Sequence, residues 1–161
     1  MSNFNPQFSK IGDILVHNGA IDENQLMQAL SEQKNTNDKL GNTLIKLGFI
    51  NENDLVQAYS QQMGYRTIKI DDILQANLDV TATISEEFAK ENKVIAINKN
   101  ENNIVVVMED PEDLDTLDGI KKLSGLNPEI LIAGTSDIKS ALETLYDKIK
   151  KSGEVESAIS N

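Results

Sequence analysis

Two openings in the chain place a lysine, an aliphatic residue and a glycine in succession: Lys10, Ile11, Gly12 and Lys39, Leu40, Gly41. The lysine supplies charge, the aliphatic side chain a surface for the face of a ring, and the glycine room for close backbone approach. Aligning Lys10–Gln33 with Lys39–Gln62, an offset of 29, gives 12 identities in 24 positions, and a five-residue spacer, Lys34–Asp38, separates the two units. The identical pairs include Gly12/Gly41, Leu15/Leu44, Gly19/Gly48, Leu26/Leu55 and Gln33/Gln62. A charged, apolar and glycine-bearing surface offered twice suits a ligand with two-fold symmetry. Close packing of two helical hairpins would use the same glycines and leucines, and spacing alone leaves both readings open.

Other chemistry is poorly supplied. None of the nine glycines is followed by lysine, so the glycine-rich loop and Lys that cradle nucleotide phosphates in P-loop ATPases are missing. The acidic run Glu109, Asp110, Glu112, Asp113, Asp115 and Asp118 has Gly119 one place late for a calcium loop and Ser124 where the closing Glu belongs, and carboxylates gathered at a helix start are favoured by the helix dipole without any metal. No metal site is expected. His17, the one histidine, reads as a surface or C-terminal capping residue, and no base partners the hydroxyl groups. Cysteine is absent, which removes disulfides, thiolate zinc sites and thiol nucleophiles and fits a reducing compartment. The chain is therefore not expected to be an enzyme.

The elements that must position the repeated triplets follow from periodicity. In each unit Ile11, Ile14 and Leu15, or Leu40, Leu44 and Leu47, recur at helical spacing before Gly19 or Gly48, glycines placed to end a helix in the left-handed conformation. Asp22 and Asn51 stand where N-caps belong, each followed by Glu, with Leu26/Leu30 and Leu55/Tyr59 as inward stripes. From Arg66 the pattern is mixed. Thr67–Ile70 reads as a short strand, Ser85–Asn92 as a helix capped by Ser85, and Val94–Asn98 and Ile104–Met108 as a hairpin about a polar turn. Pro111–Leu123 reads as a helix begun by proline, Ile130–Ala133 as a strand and Asp137–Lys150 as an amphipathic helix. The expected fold class is α+β: a tandem helical-hairpin module at residues 1–66, a small α/β module (ββαβα) at 67–150, and a tail or linker at 151–161.

Composition sets the outer bounds. The 161 residues suit one domain or two small ones, and the 4% aromatic content without tryptophan implies an aliphatic core. A net charge of −11 is the wrong sign for DNA, RNA or anionic lipid. A polar amino terminus and short apolar runs predict a cytoplasmic chain with neither a Sec-type signal nor a membrane span.

The duplicated unit, reading KIGDILVHNGAIDENQLMQALSEQ and KLGNTLIKLGFINENDLVQAYSQQ, resembles the tandem motif of the MshEN domain, the N-terminal domain of type II secretion and type IV pilus assembly ATPases. VIAINKNENNIVVVMEDPEDLDTLDGIKKLSG and ILIAGTSDIKSALETLY resemble the remainder of that domain, so the likeness runs from about residue 8 to residue 147. The resemblance implies a regulatory domain binding cyclic di-GMP, one guanylate half per motif, as a ligand and with no cofactor. By carry-over Lys10, Ile11, Gly12, Leu15, Gly19, Leu26, Leu30 and Gln33 would hold one half, and Lys39, Leu40, Gly41, Leu44, Gly48, Leu55, Tyr59 and Gln62 the other. It also implies a motor ATPase partner, in the same chain or another, with the isolated domain monomeric. The alternative is a nucleotide-free docking domain joining that ATPase to an inner-membrane assembly protein. Both leading arginines of the family pattern are lysines here, which exchanges a planar, stacking, multi-donor fork for a point charge.

Overall fold

A computed structural model describes the backbone of residues 4–160 and the side chains of residues 4–153. The chain divides into two compact units, Met1–Tyr65 and Arg66–Asn161.

The first unit is helical. A 3₁₀ turn at Pro6–Phe8 precedes α1 (Ile11–His17), α2 (Glu23–Gln33), α3 (Leu40–Lys46) and α4 (Glu52–Met63). Its punctuation is local and duplicated. Asp22 and Asn51 each accept from the amide three residues on and receive a return bond from the side chain of Gln25 or Asp54, so α2 and α4 both open with a capping box. At the other end of each short helix, Gly19 (φ +76°) and Gly48 (φ +78°) reverse the chain. The amides of Ala20 and Phe49 reach back to the carbonyls of Leu15 and Leu44 at 3.0 Å, closing two matched Schellman turns. The four helices pair crosswise, α1 chiefly with α4 and α2 chiefly with α3. Ile14, Leu15, Ala29, Leu44 and Ala58, all wholly buried, form the common core with Ile21 and Ile50.

The second unit carries a four-stranded sheet. It comprises β1 (Arg66–Thr67), α5 (Ile70–Ile73), α6 (Leu78–Thr81), α7 (Glu86–Asn92), β2 (Val94–Lys99), β3 (Asn103–Met108), α8 (Leu114–Ser124), β4 (Asn127–Ile132) and α9 (Thr135–Ser160). Strand order is β1-β4-β3-β2. The β2/β3 hairpin is antiparallel with an irregularity between Ala96 and Asn98, whereas β4 runs parallel to both β3 and β1. The crossover helix α8 is what permits the parallel β3/β4 pair. Val94, Ile95, Ala96, Ile104, Val106, Val107, Ile120, Ile138 and Leu145 are wholly buried. Thr81 ties α6 to the sheet by donating to the Ala96 carbonyl at 2.7 Å.

Several boundaries depart from expectation. The first strand spans two residues, and the chain turns helical at Ile70. The helix expected from Pro111 starts at Leu114, because the Asp110 carboxylate takes the Glu112 amide at 3.0 Å and holds an Asx turn that Asp113 follows as N-cap. Pro128 lies inside β4 opposite Ile104, where β1, paired only at Leu131 and Ile132, does not reach, so its missing N–H breaks no ladder on that side. Residues 151–160, expected as an aperiodic tail, continue α9. Among the described residues no helix is long and apolar enough to cross a membrane.

Candidate functional site

Lys10 and Lys39 occupy equivalent places. Each is the N-cap of a seven-residue helix, with φ, ψ of −72°, 153° and −69°, 151°, and neither caps its helix with its side chain. Both are exposed. The glycines behind them are buried against leucines. A Cβ at Gly12 would lie 2.6 Å from Leu26 Cδ1 and 3.1 Å from Leu40 Cδ2, and one at Gly41 2.6 Å from Leu55 Cδ1. The Gly12–Leu40 approach brings the starts of α1 and α3 side by side, so the two lysine-led openings border one another.

The other expected residues divide by depth. Leu15 and Leu44 are wholly buried and shape the surface from below. Ile11, Leu26, Leu40 and Leu55 are half-buried, available to a ligand on one side. Gly19 and Gly48 stand at the far ends of α1 and α3, about 10 Å along the helix axis from the lysines at 1.5 Å per residue, where their positive φ makes the turn. The inward stripe expected of α2 is corrected at Leu30, which is 42% exposed where its repeat mate Tyr59 is 7% exposed. The neighbouring pair behaves alike, Met27 at 68% against Val56 at 8%. Identical patterning thus meets different surroundings in the two copies.

The closing glutamines make matched bonds. Gln33 Nε2 donates to the Asp38 carbonyl and Gln62 Nε2 to the Ser9 carbonyl, each at 3.1 Å. Gln62 Oε1 is buried without a hydrogen-bond partner. The carbonyls they hold belong to the residues just before Lys39 and Lys10, which sequence reasoning passed over. Their signal was available, because Ser9 and Asp38 keep the same 29-residue offset as the glutamines. Asp38 is further fixed by Lys46 at 2.5 Å. His17, at the position of the first unit matching Lys46, is exposed and stacks on Phe4 with ring centroids 3.9 Å apart.

Three members of the acidic run, Glu109, Asp110 and Asp113, are engaged locally in the second unit. Asp110 and Asp113 make turn and cap bonds, and Glu109 pairs with Lys93 at 3.3 Å and accepts from the Thr135 hydroxyl. Among the described residues no three or more His, Cys, Asp or Glu side chains are grouped to hold a metal ion. Elsewhere Glu86 receives Lys150 at 2.7 Å and Lys90 at 3.1 Å, and these cations hold its carboxyl below the ordinary value of 4.5. Burial, with a smaller contribution from the Glu86 charge, raises the Tyr146 phenol to about 12.

Known proteins share this architecture. MshE, in a structure solved with cdg (cyclic di-GMP), is 30% identical to this chain with a TM-score of 0.75, covering 86% of it and 99% of the MshE chain. The N-terminal domain of XpsE, at 17% identity and TM-score 0.71 over 89% of this chain and 97% of its own, shares the fold. The type IV pilus assembly ATPase PilB of Myxococcus xanthus (strain DK1622) is 30% identical over 137 residues, which are 85% of this chain. The chain spans about a quarter, 24%, of that relative's length. The sequence model of the MshEN domain matches residues 63–151, beginning at the last residue of α4 and covering the sheet unit rather than the repeats. With more than half of its residues matched in this way, and an α+β fold shared with MshE and XpsE, the chain belongs to the MshEN domain family.

Proposed function

We propose that the first unit binds cyclic di-GMP and that the chain is a non-catalytic regulatory domain coupling this ligand to an assembly ATPase of the type IV pilus or type II secretion kind, joined to it in the same chain or in a complex. The observation that carries the reading is the pair of exposed lysines at equivalent N-caps, on helix starts that the Gly12–Leu40 approach sets side by side. A two-fold dinucleotide has two phosphates and two guanine rings, and here two cations stand beside two half-buried aliphatic side chains, Ile11 and Leu40. The MshE structure with cdg supports the choice of ligand.

Titration calorimetry with cyclic di-GMP, GMP and ATP tests it. Heat is expected with the dinucleotide alone, and Lys10→Ala and Lys39→Ala should each weaken binding while leaving the fold intact. A flat trace at high micromolar dinucleotide overturns the reading. One observation favours a second reading, a docking module linking the ATPase to an inner-membrane assembly protein: Met27 and Leu30 leave an apolar face of α2 open. A flat trace would put that reading in front.

A further inference from the structure

The glutamines that close the two repeats do not brace the lysines of their own units. Gln62 ends the second unit yet donates to Ser9, whose carbonyl shares a rigid peptide plane with the Lys10 amide. Gln33 ends the first unit and donates to Asp38, whose carbonyl shares a plane with the Lys39 amide. Both bonds are 3.1 Å long. The crossing follows from the packing, since α4 lies on α1 and α2 on α3, so the last turn of each long helix meets the start of the other unit's short helix.

We propose that Gln33 and Gln62 are positioning residues acting crosswise: Gln62 sets the backbone from which Lys10 projects and Gln33 the backbone from which Lys39 projects. Each half of the ligand platform is then held in place by the opposite unit. Lys10 and Lys39 do not cap their short helices with their side chains, and the chain entering each helix takes an anchor from the long helix packed on it. The glutamine amide supplies it from a half-buried place. In its ligand-binding consequence the inference rests on the cyclic di-GMP reading; in its structural consequence it does not.

The experiment therefore has two readouts on the full chain. The first is amide hydrogen exchange without ligand, at Ile14, whose amide bonds the Lys10 carbonyl, and at Thr43, whose amide bonds the Lys39 carbonyl, both at 3.1 Å. Gln62→Ala should speed exchange at Ile14 by about three- to tenfold and spare Thr43, and Gln33→Ala should do the reverse, as expected for loss of one neutral hydrogen bond. Gln62→Glu, which keeps the shape and removes the donor, should repeat the Gln62→Ala pattern and carries the test if the alanine variant unfolds. Exchange changed within the glutamine's own unit, or equally in both, overturns the proposal. The second readout is a double-mutant cycle in cyclic di-GMP titration. Gln62→Ala added to Lys10→Ala should cost less than twofold further, whereas added to Lys39→Ala it should multiply the loss; the opposite pattern overturns the proposal. If the unaltered chain binds no dinucleotide, the ligand reading fails and the exchange pattern alone decides the crosswise brace.

Discussion

Tyr146 offers the sharpest test of how the second unit is held together. Its side chain is 4% exposed, and its hydroxyl lies 2.6 Å from the Ile84 carbonyl and 3.1 Å from the Thr81 carbonyl. A phenol has one proton, so the two carbonyls share one donor, with Ile84 taking the larger part. Tyr146→Phe removes that donor, keeps the ring and takes the short bond from the Ile84 carbonyl, while the Thr81 carbonyl keeps the Ile84 amide at 3.2 Å, a loss of about 1–3 kcal/mol. Urea unfolding followed by circular dichroism at pH 8 should show it with an unchanged denaturant slope. The second part of the test is alkaline. The folded-state value of about 12 lies above the ordinary 10 of the unfolded chain, so the stabilisation is complete below pH 10 and is lost as pH rises towards 12. At pH 11 this group alone has given up at most about 1.4 kcal/mol, less the part that solvent screens, and the phenylalanine variant cannot lose it, so the gap between the proteins should narrow by up to that amount. A gap under about 0.5 kcal/mol at pH 8, or one that does not narrow at pH 11, would refute the reasoning.

Further expectations concern the turns, the ion pairs and the ligand surface. Gly19→Ala and Gly48→Ala should each cost about 1–2 kcal/mol in equilibrium unfolding, and by similar amounts, because both sites have open space and φ near +77° within a degree either way; a cost at one site only would contradict their equivalence. Glu86, its carboxyl held down first by Lys150 and then by Lys90, should contribute stability above its ordinary value and lose it as pH falls through the lower folded one. Carbon NMR titration should show its midpoint returning towards 4.5 in Lys150→Ala, and an unmoved midpoint would exclude the pairing. Replacing Lys10 and Lys39 together by Arg should tighten cyclic di-GMP binding tenfold or more, on the order of one regained bidentate contact; no gain in calorimetry would show that planar multi-donor geometry is not what limits affinity.

What was legible in the sequence is what depends on neighbours along the chain. Gly19, Gly48, Asp22 and Asn51 could be placed because caps and left-handed stops need only residues within one turn. Two strands were readable from their apolar runs, expected at Val94–Asn98 and Ile104–Met108 and found at Val94–Lys99 and Asn103–Met108. Helices of four residues, such as Ile70–Ile73 and Leu78–Thr81, are too short to display a helical period. Leu30 shows the other limit, since its spacing matches that of Tyr59 and only tertiary neighbours decide which is covered. The same holds at the site. Lys10 and Lys39 were identifiable as a pair from the repeat, whereas the partners of Gln33 and Gln62 depend on which helix packs on which.

That exchange of partners bears on how little each repeat can do alone. A 24-residue unit cut out by itself would still carry the residues for its caps and its Schellman turn but would lose the helix on which its short helix chiefly rests. Its route back to a comparable core would be association with another such unit, at a translational cost that a dilute solution seldom offsets. The five residues Lys34–Asp38 replace that encounter with an effective concentration in the millimolar range, about the value for a short tether. The spacer is thus a thermodynamic component, and inserting flexible residues into it should loosen both halves of the platform together.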